Sequence, residues 1–303
     1  MFTKKRIVLL ILIAILIIAV PIMAAAAKVD SGNTKADMQV LTLWQIDGFE
    51  GGKGSRTQYL ADKADKLFEG KSVYLNVVSL SSTAAKKNID SGILPDMISC
   101  APTFNAHLKY INTKDFVIKT WCYGSYCILT LGENAQFDDV NAQNTVINSG
   151  KENLAKAAAV LCGLQDAQME NSTNAYLQLL NGKYKYLFGT QRDVYRLKTR
   201  EQVFSVVQVT QFNDLYQNIS ILTRDTKRYE TCRDFAEYIE LNCSDVDKIG
   251  MLSDKSSYTD EMAQLKKVEY EYFVKYPCND LHLSQITDAA INNDVNAIKN
   301  LIK

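Results

Sequence analysis

LTLWQIDGFEGGKGSRTQYLADKADKLF, running from Leu41 to Phe68, passes from strand to loop to helix. Val40, Leu41, Leu43 and Trp44 make an apolar, strand-like run. It breaks into a loop holding Gly48, Gly51, Gly52 and Gly54, and a helical pattern begins near Ser55. Glycine lets backbone N–H groups come close to a guest, and a helix N-terminus presents unpaired donors. A strand that ends this way is a ligand-facing edge of an open α/β sheet.

Outward from there, strands are predicted at 38–44, 73–79 and 97–99, with helices at 55–68 and 81–90. This β-α-β-α-β order predicts a parallel, doubly wound first lobe. Past Cys100 the pattern changes. Short strands are predicted at 116–119 and 126–131, separated by Trp121-Cys-Tyr-Gly-Ser. Helices at 151–161 and 172–180 follow, then a strand at 185–188. The turn Gly189-Thr-Gln-Arg-Asp opens another helix, and 203–209 reads as a strand. Helices are then predicted at 226–241, 258–272 and 284–302. Lobe junctions fall near residues 120 and 210. The organisation expected is 1–27 signal peptide or N-terminal anchor, 28–120 first lobe, 121–210 second lobe, and 211–303 return segment and C-terminal helices.

Bulk properties narrow the function. The chain has 303 residues, enough for one large or two modest domains. Apolar residues make up 47%, which argues against disorder. Lys and Arg number 34, as do Asp and Glu. Lys4, Lys5 and Arg6 lie in an N-terminal segment without acids, so the remainder is slightly acidic. Nothing there favours nucleic acid. Residues 1–27 read as an export signal: a basic start, an apolar run from Ile7 to Met23 broken by Pro21, and Ala24–Ala27 as cleavage region. The run approaches the length of a bilayer span, so an uncleaved anchor is the alternative. The protein is then expected outside the cell or on the outer face of the cytoplasmic membrane. Of the seven cysteines the first is Cys100, so no lipid-modified Cys follows the signal. There is no Cys-x-x-Cys, and His107 and His282 are the only histidines. That argues against a zinc site, against general-base chemistry and for cysteines buried as small apolar side chains. No cofactor is expected.

Several segments resemble one family. LWQIDGFEGGKGSR (Leu43–Arg56), SGILPDMIS (Ser91–Ser99), AYLQLLNGKYKYLFGTQRDVYRL (Ala175–Leu197), FNDLYQNISI (Phe212–Ile221) and CRDFAEYIE with IGMLS (Cys232–Glu240, Ile249–Ser253) are similar, in order, to extracellular solute-binding proteins of ABC transporters, of the carbohydrate-binding group in clostridia-like bacteria. The resemblance implies an α/β, two-lobed, periplasmic-binding-protein-like clamshell with a helical C-terminal region. It also implies a carbohydrate or other small polar solute in the inter-lobe cleft, and permease subunits as partners. Membrane contact would run through the N-terminal segment if it is uncleaved. A shortened surface sensor of the same fold and an exported glycan-active hydrolase are the competing classes. Gly132–Thr173 is short where the family builds much of the second lobe's cleft wall.

The expected ligand-binding residues are Trp44, Asp47, Glu50, Ser55, Arg56, Ser99, Trp121, Tyr123, Gln191, Arg192 and Tyr216. Aromatic faces suit the C–H faces of sugar rings, and carboxylates accept from hydroxyls. Each has a plainer reading. Trp44 and Trp121 also suit a core. Lys53, Ser55 and Arg56 suit an anion, or capping and loop rigidity. Arg192 also suits an ion pair with Asp193. Asp47 and Glu50 share one short loop, a poor arrangement for a glycosidase pair.

Overall fold

The largely buried run LTLWQI sets the first sheet. The computed structural model describes residues 38–47, 55–105, 108, 118–148, 154–258, 260–268 and 280–302. Strand β1 (Gln39–Ile46) sends Leu41 and Leu43 to one apolar cluster and Trp44 and Ile46 to another, so it is buried on both faces. It pairs in parallel with β2 (Val73–Leu80) and β3 (Met97–Cys100). Helices α1 (Arg56–Leu67) and α2 (Ser82–Asp90) connect them. Ser55 caps α1 by accepting from the Gln58 N–H at 3.0 Å, and Ser81 caps α2 through Ala84 N–H at 3.1 Å. The short helix α3 (Pro102–Asn105) follows β3.

The completed sheet runs β2-β1-β3-β10-β4, with β4 at Ile118–Tyr123 and β10 at Tyr216–Ile221. Strand β10 is antiparallel to both neighbours. The first lobe is therefore mixed, a correction to the all-parallel expectation. The return segment supplies this strand because YQNISI alternates and reaches the sheet only after the chain has built the second one. Strand β4 also continues through Trp121 and Tyr123, which the sequence reading treated as a connection.

The second sheet runs β7-β6-β8-β5-β9. Its strands are β5 (Tyr126–Leu131), β6 (Thr145–Asn148), β7 (Gln168–Glu170), β8 (Tyr186–Thr190) and β9 (Phe204–Gln208). Helices α4 (Ala155–Leu161), α5 (Ser172–Leu180) and α6 (Gln191–Thr199) lie between them. One face packs on α5 and α6 through Ala175, Tyr176, Leu179, Val194 and Leu197. The other packs on α4 and, through Ile286, Ala290 and Ile298, on α8 (Asp280–Ile291) and α9 (Val295–Leu301). Helix α7 (Thr226–Leu241) instead serves the first sheet, burying Cys232, Phe235, Ala236 and Ile239. Both sheets belong to one unit, Gln39–Lys303.

Three further expectations change. Strands β6 and β7 were not foreseen, being only four and three residues long. The helix expected over 258–272 is, among its described residues, a single 3-10 turn at Glu261–Gln264 within irregular chain. The helix expected over 284–302 is broken where Asn293 takes φ 56° and Asp294 caps a new helix through Ala297 N–H at 2.9 Å. The export signal, the loop from Gly48 to Gly54 with Glu50 and Lys53, and Cys278 lie outside the described residues. Five of the six described cysteines are buried, as expected of small apolar side chains.

Candidate functional site: the carboxyl edges of the two sheets

Strands β1, β2 and β3 point one way in the first sheet, and β6, β7 and β8 run parallel in the second. Open α/β sheets bind guests outside the carboxyl ends of such strands. Two crossovers bring these ends together. Strand β4 ends at Tyr123, opposite Tyr216, and β10 in turn lies against the end of β3. Two residues beyond Tyr123–Gly124, strand β5 starts at Tyr126, opposite Thr190 at the end of β8. The carboxyl edges of both sheets thus abut the same crossovers.

The crossovers are tightly tied. Gly124 N–H donates to Leu215 O at 2.6 Å, and Asn213 Nδ2 donates to Gly124 O at 2.7 Å. A Cβ on Gly124 would fall 2.5 Å from Gln191 Oε1 and 3.0 Å from Leu215 Cβ, so a larger residue would displace the Gln191 amide. The Gln191 Oε1 also accepts from Ser125 N–H at 3.0 Å. A third crossing lies beside them: Tyr123 and Leu252 exchange both backbone hydrogen bonds at 2.9 Å. Met251 belongs to the first lobe's cluster and Leu252 to the second's. Helix α6 leans on this crossing. Arg192 Nη1 donates to Ile249 O at 3.1 Å and Tyr195 Oη to Lys248 O at 3.1 Å.

At the first lobe's edge the expected residues take these places. Trp44 is 6% exposed and sits with Ile46, Ile98, Phe104 and Leu222. Trp121 is 1% exposed, stacks on Tyr59 with centroids 5.5 Å apart, and donates from Nε1 to Ser99 Oγ at 3.1 Å. Both tryptophans and Ser99 therefore face the interior. Asp47 takes φ 52°; its carboxylate accepts from Ser82 N–H at 2.9 Å and from the Ser82 hydroxyl, anchoring the start of α2. Arg56 Nη2 donates to Asp47 O at 2.7 Å. Burial lowers the Arg56 pKa, against the opposing influence of Cys122 and Asp47. Ser55 is a buried cap. Tyr123 and Tyr216 are buried in the second lobe's cluster; Tyr216 Oη donates to Val268 O. Burial, with the neighbouring Asp254, pushes the Tyr123 phenol up. Gln191 and Arg192 are held at the crossings as described.

Gln45, Asn148 and Asp214, which the sequence reading did not single out, complete the edges, together with Asp193, there read as a partner of Arg192. Gln45, fully buried on the same face as Leu43, donates from Nε2 to Gln217 Oε1 at 3.0 Å, and its own Oε1 has no partner. A polar residue inside LTLWQI was the available signal. In the second lobe Asn148, at the end of β6, donates to Asp193 Oδ2 at 2.7 Å. Asp193 also receives Thr190 N–H at 3.1 Å and the Arg196 guanidinium at 3.4 Å. Burial raises its pKa against these partners. Thr190 and Asp193 form a reciprocal cap on α6, foreshadowed by the T-x-x-D spacing. Asp214, at the second crossover, is buried and accepts from Tyr126 Oη at 2.6 Å and Leu154 N–H at 3.2 Å. Burial raises its pKa too.

No protein-family model matches the chain, and no curated protein matches it. Solved structures do. One is described as the substrate-binding domain of a molybdenum ABC transporter from Clostridium difficile. It is 11% identical, with a TM-score of 0.55, over 71% of this chain and 98% of that one. Another is the ABC substrate-binding protein Lmo0181 from Listeria monocytogenes in complex with cycloalternan. It is 11% identical, with a TM-score of 0.54, over 88% and 97%. A third is the periplasmic binding protein AfuA from Actinobacillus pleuropneumoniae, with fructose-6-phosphate bound. It is 13% identical, with a TM-score of 0.50, over 86% and 99%. The chain has the periplasmic-binding-protein-like fold, as its two α/β sheets and paired carboxyl edges already require.

Proposed function

We propose that this chain is the solute-binding component of an ABC importer, exported from the cell, and that it holds a carbohydrate-class solute between the carboxyl edges of its two sheets. The observation that carries the reading is the meeting of those edges at shared crossovers. The near-complete coverage of two ABC substrate-binding proteins and a periplasmic binding protein supports it. Asn148, Thr190 and the start of α5 at Ser172 would face the solute from one side. The chain at Asp47 and at Ser55–Arg56 would border it on the other. The buried tryptophans favour polar contacts over ring stacking as the source of affinity. Domain limits near 120 and 210 and a permease partner belong to the same proposal. The test is calorimetry of the full-length chain against neutral and acidic mono- and oligosaccharides. Saturable heat with one of them is expected. Absence of heat across the set, with the fold intact, would leave a surface sensor without transport as the better reading.

A further inference from the structure

One short helical turn of the first lobe is capped by the second. The 3-10 turn Val246–Ile249 buries Val246 and Ile249, with Met251, in the first lobe's cluster. A helix leaves its last carbonyls without partners of its own. Gly250 N–H returns to Asp247 O at 2.9 Å and Met251 N–H to Val246 O at 3.1 Å. The carbonyls of Lys248 and Ile249 go instead to α6, where the Tyr195 hydroxyl and the Arg192 guanidinium donate to them, each at 3.1 Å. A cation suits the negative end of a helix. Helix α6 is built into the second lobe through Val194 and Leu197, while Arg192 and Tyr195, three residues apart, share another side. The fit is steric as well. Gly250 takes φ 66°, and a Cβ there would lie 2.8 Å from the Tyr195 ring, so the ring seats on bare backbone. Gln191 Nε2 reaches Met251 Sδ at 3.4 Å, and near the far end of the helix Lys198 pairs with Asp260. The contact therefore runs along most of α6.

We propose that α6 and the Lys248–Met251 segment form a latch that fixes the angle between the two lobes, so that one lobe turns on the other only when the Arg192 and Tyr195 bonds are given up. Lobes joined by chain crossovers alone bend there over a range of angles. Here the donors belong to one lobe and the acceptors to the other, so any such rotation changes the distance between them. A hydrogen bond of this kind is lost once it lengthens past about 3.5 Å. The same helix begins with the Thr190–Asp193 cap at the carboxyl edge of the second sheet. A guest that displaces that end acts directly on the latch. The latch is a property of the chain alone and stands whether or not the solute reading does.

The experiment measures inter-lobe distances by double electron–electron resonance on the full-length chain, with no solute added. Spin labels go on Lys66→Cys in α1 and Leu177→Cys in α5, both at exposed positions, in a Cys162→Ser and Cys278→Ser background. This parent should give a single narrow distribution. Arg192→Gln combined with Tyr195→Phe keeps much of the bulk of both side chains and removes both bonds. Its distribution should broaden or move to a different mean, with the helix content by circular dichroism unchanged. Arg192→Lys in place of Arg192→Gln returns one donor and should narrow the distribution in part. Side chains needed only for packing would lower Tm without moving the distance. A broad distribution in the parent, or a double variant with the parent's distribution, overturns the latch. If the double variant does not fold, Tyr195→Phe alone, which loses only a hydroxyl, decides: some broadening is expected, and an unchanged distribution overturns the proposal.

Discussion

Single side chains at the crossovers set most of what can be tested by substitution. Trp121 is enclosed by Tyr59 and hydrogen-bonded to Ser99, so its truncation opens a cavity and orphans a hydroxyl. Trp121→Ala should lose about 3–5 kcal/mol of stability, read from urea unfolding. A loss below about 1 kcal/mol would place the ring outside the core. Asp214 makes the opposite kind of prediction. Burial raises its folded pKa above the unfolded value of about 3.9. Its stabilising share is then full below that value and is lost as pH rises through the raised folded value. Asp214→Asn keeps one acceptor oxygen and cannot ionise. The variant gives up one of the two acceptors, for Tyr126 Oη or Leu154 N–H, but should show a flatter fall in stability as pH rises above the unfolded value. A variant with the parent's slope above that value would mean that Asp214 does not link stability to pH. Asp245 behaves in reverse. Burial pushes it up, but hydrogen bonds from Tyr59 and Lys63 prevail and set it at about 2. Its contribution is present above the unfolded value and lost only as pH falls through about 2.

At the scale of elements, the crossings are built for close approach. Gly250 has φ 66°, and a Cβ there would lie 2.8 Å from the Tyr195 ring. Gly250→Ala combines backbone strain with a clash, and about 2–4 kcal/mol of lost stability is expected. Adding Tyr195→Ala should recover the steric part but not the backbone part, a split measurable by a double-mutant cycle. Much of this level was legible in the sequence. Ser55 and the Gly189-Thr-Gln-Arg-Asp turn announced helix starts through local chemistry, although the cap of α2 is Ser81 and not, as the sequence suggests, Ser82 or Thr83. The same locality made LTLWQI and VYLNVVSL readable as strands. What escaped was non-local or short. TVIN and QME are too brief to show a period, and YQNISI joins a sheet begun far upstream at Gln39. Tyr258–Tyr272 carried apolar residues at helical spacing, yet Met262 and Leu265 are satisfied by the second lobe's cluster without a full helix. The aromatic candidates were legible as residues but not as interiors. Trp44 and Trp121 sit at strand ends where exposure or burial is decided by α2, α1 and the return strand.

For the whole molecule, the consequential feature is that one pair of carboxyl edges is shared between two sheets tied by three crossings. Gln191, Arg192 and Tyr195 already bind the second lobe to the Lys248–Met251 segment of the third crossing, so the starting arrangement is held by backbone as well as side-chain contacts. The central claim is that a solute is gripped from both edges at once. Hydrogen exchange read by mass spectrometry, on the full-length chain with and without the saccharide that gives heat, tests it most directly. Ligand should slow exchange together at Gln45–Asp47 and Ser55–Tyr59 on the first lobe, and at Asn171–Asn174 and Thr190–Asp193 on the second. Protection confined to one lobe, or found only away from these four segments, would contradict it.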